Sequence, residues 1–166
     1  MTRRVRCRYC GSLFDRDRID DHVERCKYRV MRNQTVNGGG RTIIIDGNNV
    51  AHCLTQDGIP RLSNISMARE GLMLAGFTPI VVISAALVHR IDHAEALMKM
   101  VDSGEIICVR RGLDDDLEII RLAERLNGLV LSNDRFLTYL EEYPWLKKRL
   151  IRYRMTPTGI LIDTAV

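Results

Sequence analysis

The stretch Ile43–Val50, which reads IIIDGNNV, decides the fold of this chain. Three consecutive isoleucines are typical of a strand that is buried on both faces, as in a parallel sheet. The strand ends at Asp46, and the C-terminal edge of such a sheet is where open α/β folds bind their ligands. A second strand, Leu129–Ser132, repeats this design and leads into Asn133 and Asp134. The sequence therefore predicts an α/β fold with carboxylates gathered at one edge of its sheet.

The remainder of the chain from residue 41 onward alternates strand patterns with helical patterns. Alternation of this kind predicts βαβ units and a mostly parallel sheet. A glycine lies just after each of the three predicted long helices, and glycine commonly ends a helix. We predict strands over 42–45, 80–84, 106–109, 129–132 and 150–154, with an edge strand over 159–162. Long helices are predicted over 63–75, 87–102 and 115–127, and short helices over 135–141 and 144–148.

A third acidic motif, Asp114–Asp116, opens one of these helices. Acidic residues in a first turn are also stabilised by the helix dipole, so the triplet alone does not require a ligand. However, carboxylates from three separate elements that meet at one edge repel one another unless a hard divalent cation lies among them. The pattern therefore predicts a Mg²⁺ or Mn²⁺ site suited to phosphate chemistry.

Polar and basic residues near this edge are candidates for substrate binding. Asn49 and Asn133 carry amides that can hydrogen-bond phosphate oxygens, although turn and capping roles explain them equally well. Arg110 and Arg111 follow a predicted strand, and Arg135 follows the second acidic motif. We predict that these three arginines contact the backbone of a polyanionic substrate.

The N-terminal part contains Cys7, Cys10, His22 and Cys26, in the pattern C-x₂-C-x₁₁-H-x₃-C. Two close thiols on a turn, followed by a histidine and a cysteine one helical turn apart, can form a tetrahedral Zn²⁺ site. Chance spacing is the alternative, but four such residues in this order form a specific pattern. The module resembles short C2HC zinc fingers that bind nucleic acid or other proteins. Zinc-binding thiols must stay reduced, so we expect a cytoplasmic protein.

Charge and composition divide the chain at about the same place. Residues 1–41 hold 11 Lys and Arg against 5 Asp and Glu, whereas the remaining residues hold 14 against 16. The basic excess indicates a polyanionic partner for the N-terminal part, with a merely solubilising role as the alternative. The glycines at 38–40 precede a strand, so they indicate a flexible linker and not a phosphate-binding loop.

We predict a zinc finger over 1–29, a linker over 30–40 and an α/β domain over 41–166. At 46% hydrophobic residues the chain can bury one sizeable core. No apolar run approaches the length of a membrane span, so we expect no membrane association.

The acidic motifs resemble those of a nuclease family. The DGNNVA of Asp46–Ala51 is similar to the opening of the NYN branch of PIN-like ribonuclease domains, particularly the Regnase-type group, which begins DGSNVA. The stretch Asp115–Asp134 is similar to the second half of that group, with two aspartates, a helix and a strand that ends in SND. Trp145–Tyr153 is similar to its tail.

The resemblance implies a three-layer PIN-like, Rossmann-like fold and a metal-dependent endoribonuclease that hydrolyses single-stranded or stem-loop RNA. It also implies which residues surround Mg²⁺: Asp46, Asp115, Asp116 and Asp134. The N-terminal finger would then help to bind RNA.

Two alternatives to a nuclease follow from departures in the sequence. The Regnase-type group has a further aspartate where this chain has Thr138, which keeps open a non-catalytic RNA-binding adaptor with a degenerate PIN-like domain. A haloacid-dehalogenase-type phosphatase needs a second aspartate where this chain has Asn48, and is disfavoured. The sequence leaves the oligomeric state open, with a homodimer among the options.

Overall fold

The computed structural model describes residues 4–8, 12–26 and 40–163. Cys10 and residues 30–39 of the predicted linker lie outside this part of the chain. Among the described helices, none is both long enough and apolar enough to span a bilayer.

The N-terminal module consists of a hairpin followed by a helix. Strand β1 (Arg4–Arg6) pairs antiparallel with β2 (Leu13–Asp15), and residues 19–26 are helical and form α1. The backbone N–H of Cys7 donates to the carbonyl oxygen of Ser12 at 2.8 Å, which closes the turn between the strands.

A five-stranded parallel sheet forms the body. Its strands in chain order are β3 (Arg41–Asp46), β4 (Phe77–Ser84), β5 (Ile106–Val109), β6 (Leu129–Leu131) and β7 (Leu150–Ile151). They lie in the spatial order β5-β4-β3-β6-β7, and every neighbouring pair is parallel. The chain moves outward to β5 and then returns to the far side of β3, so the strand order reverses between β3 and β6. Such a switch point is the usual ligand site of an open α/β sheet.

Helices cover both faces of the sheet. They are α2 (Gly47–Ala51), α3 (Leu62–Leu74), α4 (Ala94–Asp102), α5 (Asp115–Arg125) and α6 (Leu146–Arg149), and a final antiparallel hairpin joins β8 (Tyr153–Thr156) to β9 (Gly159–Ile162).

Successive residues of β3 point to opposite faces of the sheet. Ile43 and Ile45 pack with α2, α3 and α4, while Ile44 packs with α5 and α6. The predicted α/β fold with a parallel sheet is therefore confirmed, and its isoleucine run is buried on both sides.

Three predicted elements differ from the structure. The helix predicted over 87–102 is wrong at its start: Leu87–His89 forms a 3₁₀ turn, and α4 begins only after His93, whose φ of 48° is left-handed. The helix predicted over 135–141 is only a 3₁₀ turn, because Phe136 before it also has a left-handed φ, 49°. The strand predicted over 150–154 is divided at Arg152 between two sheets.

Gly47 is required where α2 passes over β4. A Cβ at this position would lie 2.5 Å from Cγ2 of Ile83 and 2.8 Å from the carbonyl oxygen of Val82. Because the second of these atoms is backbone within the sheet, it cannot rotate away. We expect Gly47→Ala to lower the free energy of unfolding by about 1–3 kcal/mol, as overpacked cores do, measured by urea denaturation. Gly159→Ala is the control, since its Cβ would meet nothing within 4 Å; equal losses in both variants would contradict this account.

Candidate active site

We call the C-terminal edge of the sheet that carries Asp46, Asp114–Asp116 and Asp134 the acidic edge. Asp46 is its buried centre, with only 5% of its surface exposed. Both of its carboxylate oxygens are hydrogen-bonded. The backbone N–H of Asn49 donates to Oδ1 at 3.0 Å, and the hydroxyl of Ser132 donates to Oδ2 at 2.7 Å. Burial raises the pKa of Asp46, these two hydrogen bonds oppose the rise, and the charges of Asp115 and Asp134 add to it. The carboxylate is therefore held firmly in a place that disfavours its negative charge.

Asn48 connects the acidic start of α5 to the sheet. Its Nδ2 donates to Oδ2 of Asp115 at 2.7 Å, while its Oδ1 accepts from the backbone N–H of Ser84 at 3.1 Å. The DGNN motif thus positions two carboxylates, Asp46 directly and Asp115 through Asn48. Asn48 was not among the predicted site residues. Its position two residues after a strand-terminal aspartate suggests a role in the site. The sequence does not show, however, which of the two adjacent asparagines faces α5.

Asp116 follows Asp115 in the first turn of α5 and is half-buried. Burial is the largest cause that raises its pKa from 3.8 to about 7. The neighbouring carboxylates add to the rise, and they are Asp46, Asp115, Asp134 and Asp114. Without a cation, this carboxyl therefore takes up a proton at a much higher pH than an ordinary aspartate does.

Asp114 is the cap of α5. Its Oδ1 accepts hydrogen bonds from the backbone N–H groups of Asp116 at 3.0 Å and Leu117 at 3.3 Å. Its other oxygen accepts from the hydroxyl of Tyr139, and this bond is the main reason that the pKa of Tyr139 is raised to about 12. Thr138 is exposed on the same 3₁₀ turn as Tyr139.

Asp134 lies on the other side of the switch point, after β6. The buried hydroxyl oxygen of Ser132 accepts from the backbone N–H of Asp134 at 3.0 Å, so one serine contacts both strand-end motifs. Oδ1 of Asp134 accepts from the backbone N–H of Phe136 at 2.7 Å. This local turn fixes the exposed carboxylate beside Asp46.

The predicted amides make their hydrogen bonds within the protein. Oδ1 of Asn49 accepts from the backbone N–H of Asn133 at 3.0 Å and from the hydroxyl of Tyr153 at 2.6 Å. Asn133 and Tyr153 also exchange two hydrogen bonds, at 3.0 and 3.3 Å. The network fastens β8 to the two acidic strand ends, and Tyr153 is a member that the sequence did not reveal. Substrate contact by the two asparagines stays a prediction.

The three predicted arginines are exposed. Arg110 contacts the N-terminal module: its Nη2 donates to the carbonyl oxygen of Asp20 at 3.4 Å and lies 4.0 Å from Oδ1 of Asp20. Arg111 follows it, and Arg135 follows Asp134. Their predicted substrate contacts also stay predictions.

The donor set at this edge fits a hard divalent cation. It consists of carboxylate oxygens, and the pKa values of Asp46 and Asp116 are raised partly by the neighbouring negative charges. No three of the four aspartates bring their carboxylate oxygens within 4.8 Å of one another. A cation at this edge would therefore be held by one or two carboxylates and by waters, as Mg²⁺ often is.

The N-terminal module brings three predicted zinc ligands together. The ligand atoms of Cys7, His22 and Cys26 lie within 4.8 Å of one another, and this is the sole group of that kind among the residues that the structure describes. Both cysteines are buried, and the ring of Phe14 stacks on His22 with centroids 3.7 Å apart. A sulfur and imidazole donor set of this kind could bind zinc.

The parallel sheet, with its order β5-β4-β3-β6-β7, matches the PIN-like fold. The chain belongs to the family of RNA-cleaving domains described as Zc3h12a-like Ribonuclease NYN domain, whose model matches residues 39–164. No curated protein matches the chain by sequence.

Two solved structures of PRORP2, the nuclear protein-only RNase P 2 of Arabidopsis thaliana, share the fold. The first has a TM-score of 0.61 and 16% identity, and the match covers 82% of this chain and 32% of that one. The second has a TM-score of 0.58 and 16% identity, with 89% and 34% covered. The chain thus spans about a third of the length of these proteins.

The raised pKa of Asp116 predicts a pH-dependent stability of the metal-free protein. The folded protein binds this proton more tightly than the unfolded chain does, since its pKa is about 7 against 3.8. The resulting stability is complete below pH 3.8 and is lost as the pH rises through about 7. We expect the free energy of unfolding, measured with urea in EDTA, to fall over this window and to recover when Mg²⁺ is added. Asp116→Asn should flatten the profile; an unchanged pH dependence in that variant would contradict the assignment.

Proposed function

We propose that this chain is a Mg²⁺- or Mn²⁺-dependent endoribonuclease. The observation that carries the proposal is Asp46, a buried carboxylate among like charges at the switch point of a ribonuclease-family fold. A protein that keeps uncompensated carboxylates together loses stability, and a bound cation offsets that loss.

In this proposal four residues would hold the cation, directly or through its waters: Asp46, Asp115, Asp116 and Asp134. A bound divalent cation polarises the phosphoryl oxygen, lowers the pKa of water and stabilises the leaving oxygen. The products of such hydrolysis would be 5′-phosphate and 3′-hydroxyl ends.

The remaining polar groups of the edge have supporting roles. Ser132 holds the carboxylate of Asp46, and Asn48 holds that of Asp115. The network of Asn49, Asn133 and Tyr153 keeps the two strand ends in register. In our proposal the exposed side chains of Arg110, Arg111 and Arg135 contact phosphates of the substrate.

The alternative function is an RNA-binding adaptor without catalysis. Thr138 favours it, because the family's further aspartate is replaced there by a side chain that binds no cation tightly. All four remaining acidic positions are present, however, and the charges of Asp115 and Asp134 contribute to the raised pKa of Asp46. We therefore favour the nuclease.

The test is a cleavage assay with labelled single-stranded RNA, stem-loop RNA, circular RNA and single-stranded DNA, each with Mg²⁺, with Mn²⁺ or without either cation and with zinc retained. We expect metal-dependent cleavage of RNA, including the circular substrate, which has no ends for an exonuclease. Metal-independent binding without cleavage would establish the adaptor instead. Cleavage of DNA at an equal rate would contradict the choice of RNA.

We further propose that the finger, residues 1–29, binds zinc through Cys7, Cys10, His22 and Cys26 and helps to hold RNA. The close approach of three of these ligands and the basic charge of the segment support this. The linker would cover 30–40 and the nuclease domain 41–166. Zinc content, measured by elemental analysis of wild type and Cys26→Ser, tests the site: one zinc per chain should fall to none.

We also propose a cytoplasmic location, because zinc-binding thiols require a reducing compartment. A fluorescent fusion would show it, and accumulation in an oxidising compartment would contradict it.

A further inference from the structure

A cleft of about 580 Å³ lies between helix α1 of the finger and helix α5 of the body. Four arginines line it, Arg25 from α1 and Arg110, Arg121 and Arg125 from the body. Two glutamates, Glu24 and Glu118, lie among them, so the lining carries four positive and two negative charges, a net of +2. All four arginines are exposed to solvent.

The body side of the cleft is formed by the residues that follow β5 and by one face of α5. Residues 118, 121 and 125 share one face of α5, because side chains three and four positions apart are neighbours on a helix. At a rise of about 1.5 Å per residue, Arg121 and Arg125 lie about 8 and 14 Å further along the axis than Asp116. Arg110 directly follows β5, whose C-terminal end shares the sheet edge with Asp46. At about 100° per residue, Arg121 and Arg125 lie on the side of α5 away from Asp116, so the arginines line a surface that begins at Arg110 and runs along α5.

The finger side of the cleft is held against β5. Arg110 contacts Asp20 of α1. A second, smaller cleft beside it is lined by Ile19 and Val23 of α1 and by Ile107 and Cys108 of β5. Since β5 is the edge strand of the sheet, the finger lies beside that edge. Both modules are thus needed to form the arginine-lined cleft.

We infer that this cleft binds the sugar–phosphate backbone of an RNA strand that extends from the acidic edge toward the finger. The inference rests on the proposed function, because it takes RNA as the substrate. Guanidinium groups match phosphate oxygens with two parallel hydrogen bonds, and several of them in a row suit a repeating phosphate chain. The two glutamates reduce the attraction for a free anion, whereas a strand that is also held at the acidic edge gains from each successive arginine.

The test compares two double variants of the full chain. Arg121→Ala with Arg125→Ala removes two cleft charges. Arg41→Ala with Arg69→Ala removes two charges at the N-terminal end of β3 and on α3, away from the cleft, and is the matched control. Binding of a labelled single-stranded RNA is measured by fluorescence anisotropy without Mg²⁺ or Mn²⁺ and without a chelator, so that the RNA is not cut and zinc is not removed from the finger.

We expect the cleft variant to bind RNA about tenfold more weakly than wild type at low salt. The logarithm of the association constant falls with the logarithm of the salt concentration. The slope of this line should become shallower by about 0.7 for each phosphate that the variant no longer neutralises. The control should stay within about twofold of wild type. Arg121→Lys with Arg125→Lys keeps the charges and should retain most of the salt dependence, which separates removal of charge from damage to the fold.

Equal RNA affinity and equal salt slopes in the cleft variant and the control would overturn the inference. That outcome would not affect the nuclease proposal, which stands or falls on metal-dependent cleavage by the wild-type chain. Conversely, weakened binding in the cleft variant with no cleavage by wild type would support the cleft and refute the nuclease.

Discussion

Asp46→Asn should reduce metal-dependent RNA cleavage by about a thousandfold, because a cation at the reacting phosphate supplies several kcal/mol of transition-state stabilisation. The substitution removes the most buried charge of the acidic edge and nearly preserves its shape. The new amide can still accept from the backbone N–H of Asn49, and it can donate to the Ser132 oxygen. The loss of activity should therefore come from metal binding and not from unfolding.

The same variant should be more stable than wild type when no divalent cation is present. Burial and the charges of Asp115 and Asp134 all raise the pKa of Asp46, so its negative charge destabilises the metal-free fold. A neutral amide removes that penalty. Thermal melting in EDTA should thus show a higher midpoint for the variant, and added Mg²⁺ should stabilise wild type by more than it stabilises the variant.

Opposite changes in activity and stability distinguish a metal ligand from a structural carboxylate, whose loss would lower both. Asp102→Asn is the control, since Asp102 is exposed at the end of α4; it should change neither quantity. Wild-type cleavage rates in Asp46→Asn, prepared free of contaminating nuclease, would refute the acidic edge as the site of chemistry.

The residues of the acidic edge could be predicted because each one belongs to a short sequence motif that determines its own position. A run of isoleucines determines a buried strand, the parallel arrangement places strand ends at one edge, and Asp46 and Asp134 follow directly. Asp115 and Asp116 are equally local, in the first turn of a helix that Asp114 caps. None of these placements depends on a contact between distant residues.

The hydrogen bonds that hold these carboxylates could not be predicted. Asn49 and Tyr153 are 104 residues apart in sequence, and their contact depends on the strand order, which the sequence pattern does not determine. The same is true of Asn48 and Asp115, which are 67 residues apart. The missed turns have another cause: His93 and Phe136 have left-handed φ angles that their residue types do not favour, so tertiary packing overrides local preference there.

The predicted zinc ligands include one feature that could be predicted and one that could not. The spacing of Cys7, His22 and Cys26 predicted a shared site, and the structure brings all three together. The position of the finger against β5 depends on the contact of Arg110 with Asp20, and the sequence contains no sign of it. The finger thus lies beside β5 and α5, where we propose that it contributes to RNA binding.

Deletion of residues 1–36 should weaken RNA binding far more than it slows the chemical step. The deletion removes the basic finger, including Arg25 of the cleft, but leaves every aspartate of the acidic edge in place. We expect Kd for RNA to rise by about tenfold to a hundredfold at low salt, and the salt dependence of binding to become shallower. At saturating RNA the truncated chain should keep most of its kcat with a raised KM, because the deletion removes only uniform binding.

Cys26→Ser should reproduce the deletion. A small finger buries too little apolar surface to fold without its metal, so zinc loss and unfolding of residues 1–29 should be one event. Chelation of zinc from the wild-type chain should have the same effect on RNA affinity and should be reversed by added zinc, whereas the truncated chain should respond to neither treatment. If truncation leaves both the RNA affinity and its salt dependence unchanged, the finger does not bind RNA, and its contact with β5 would then serve to stabilise the nuclease domain or to bind another protein.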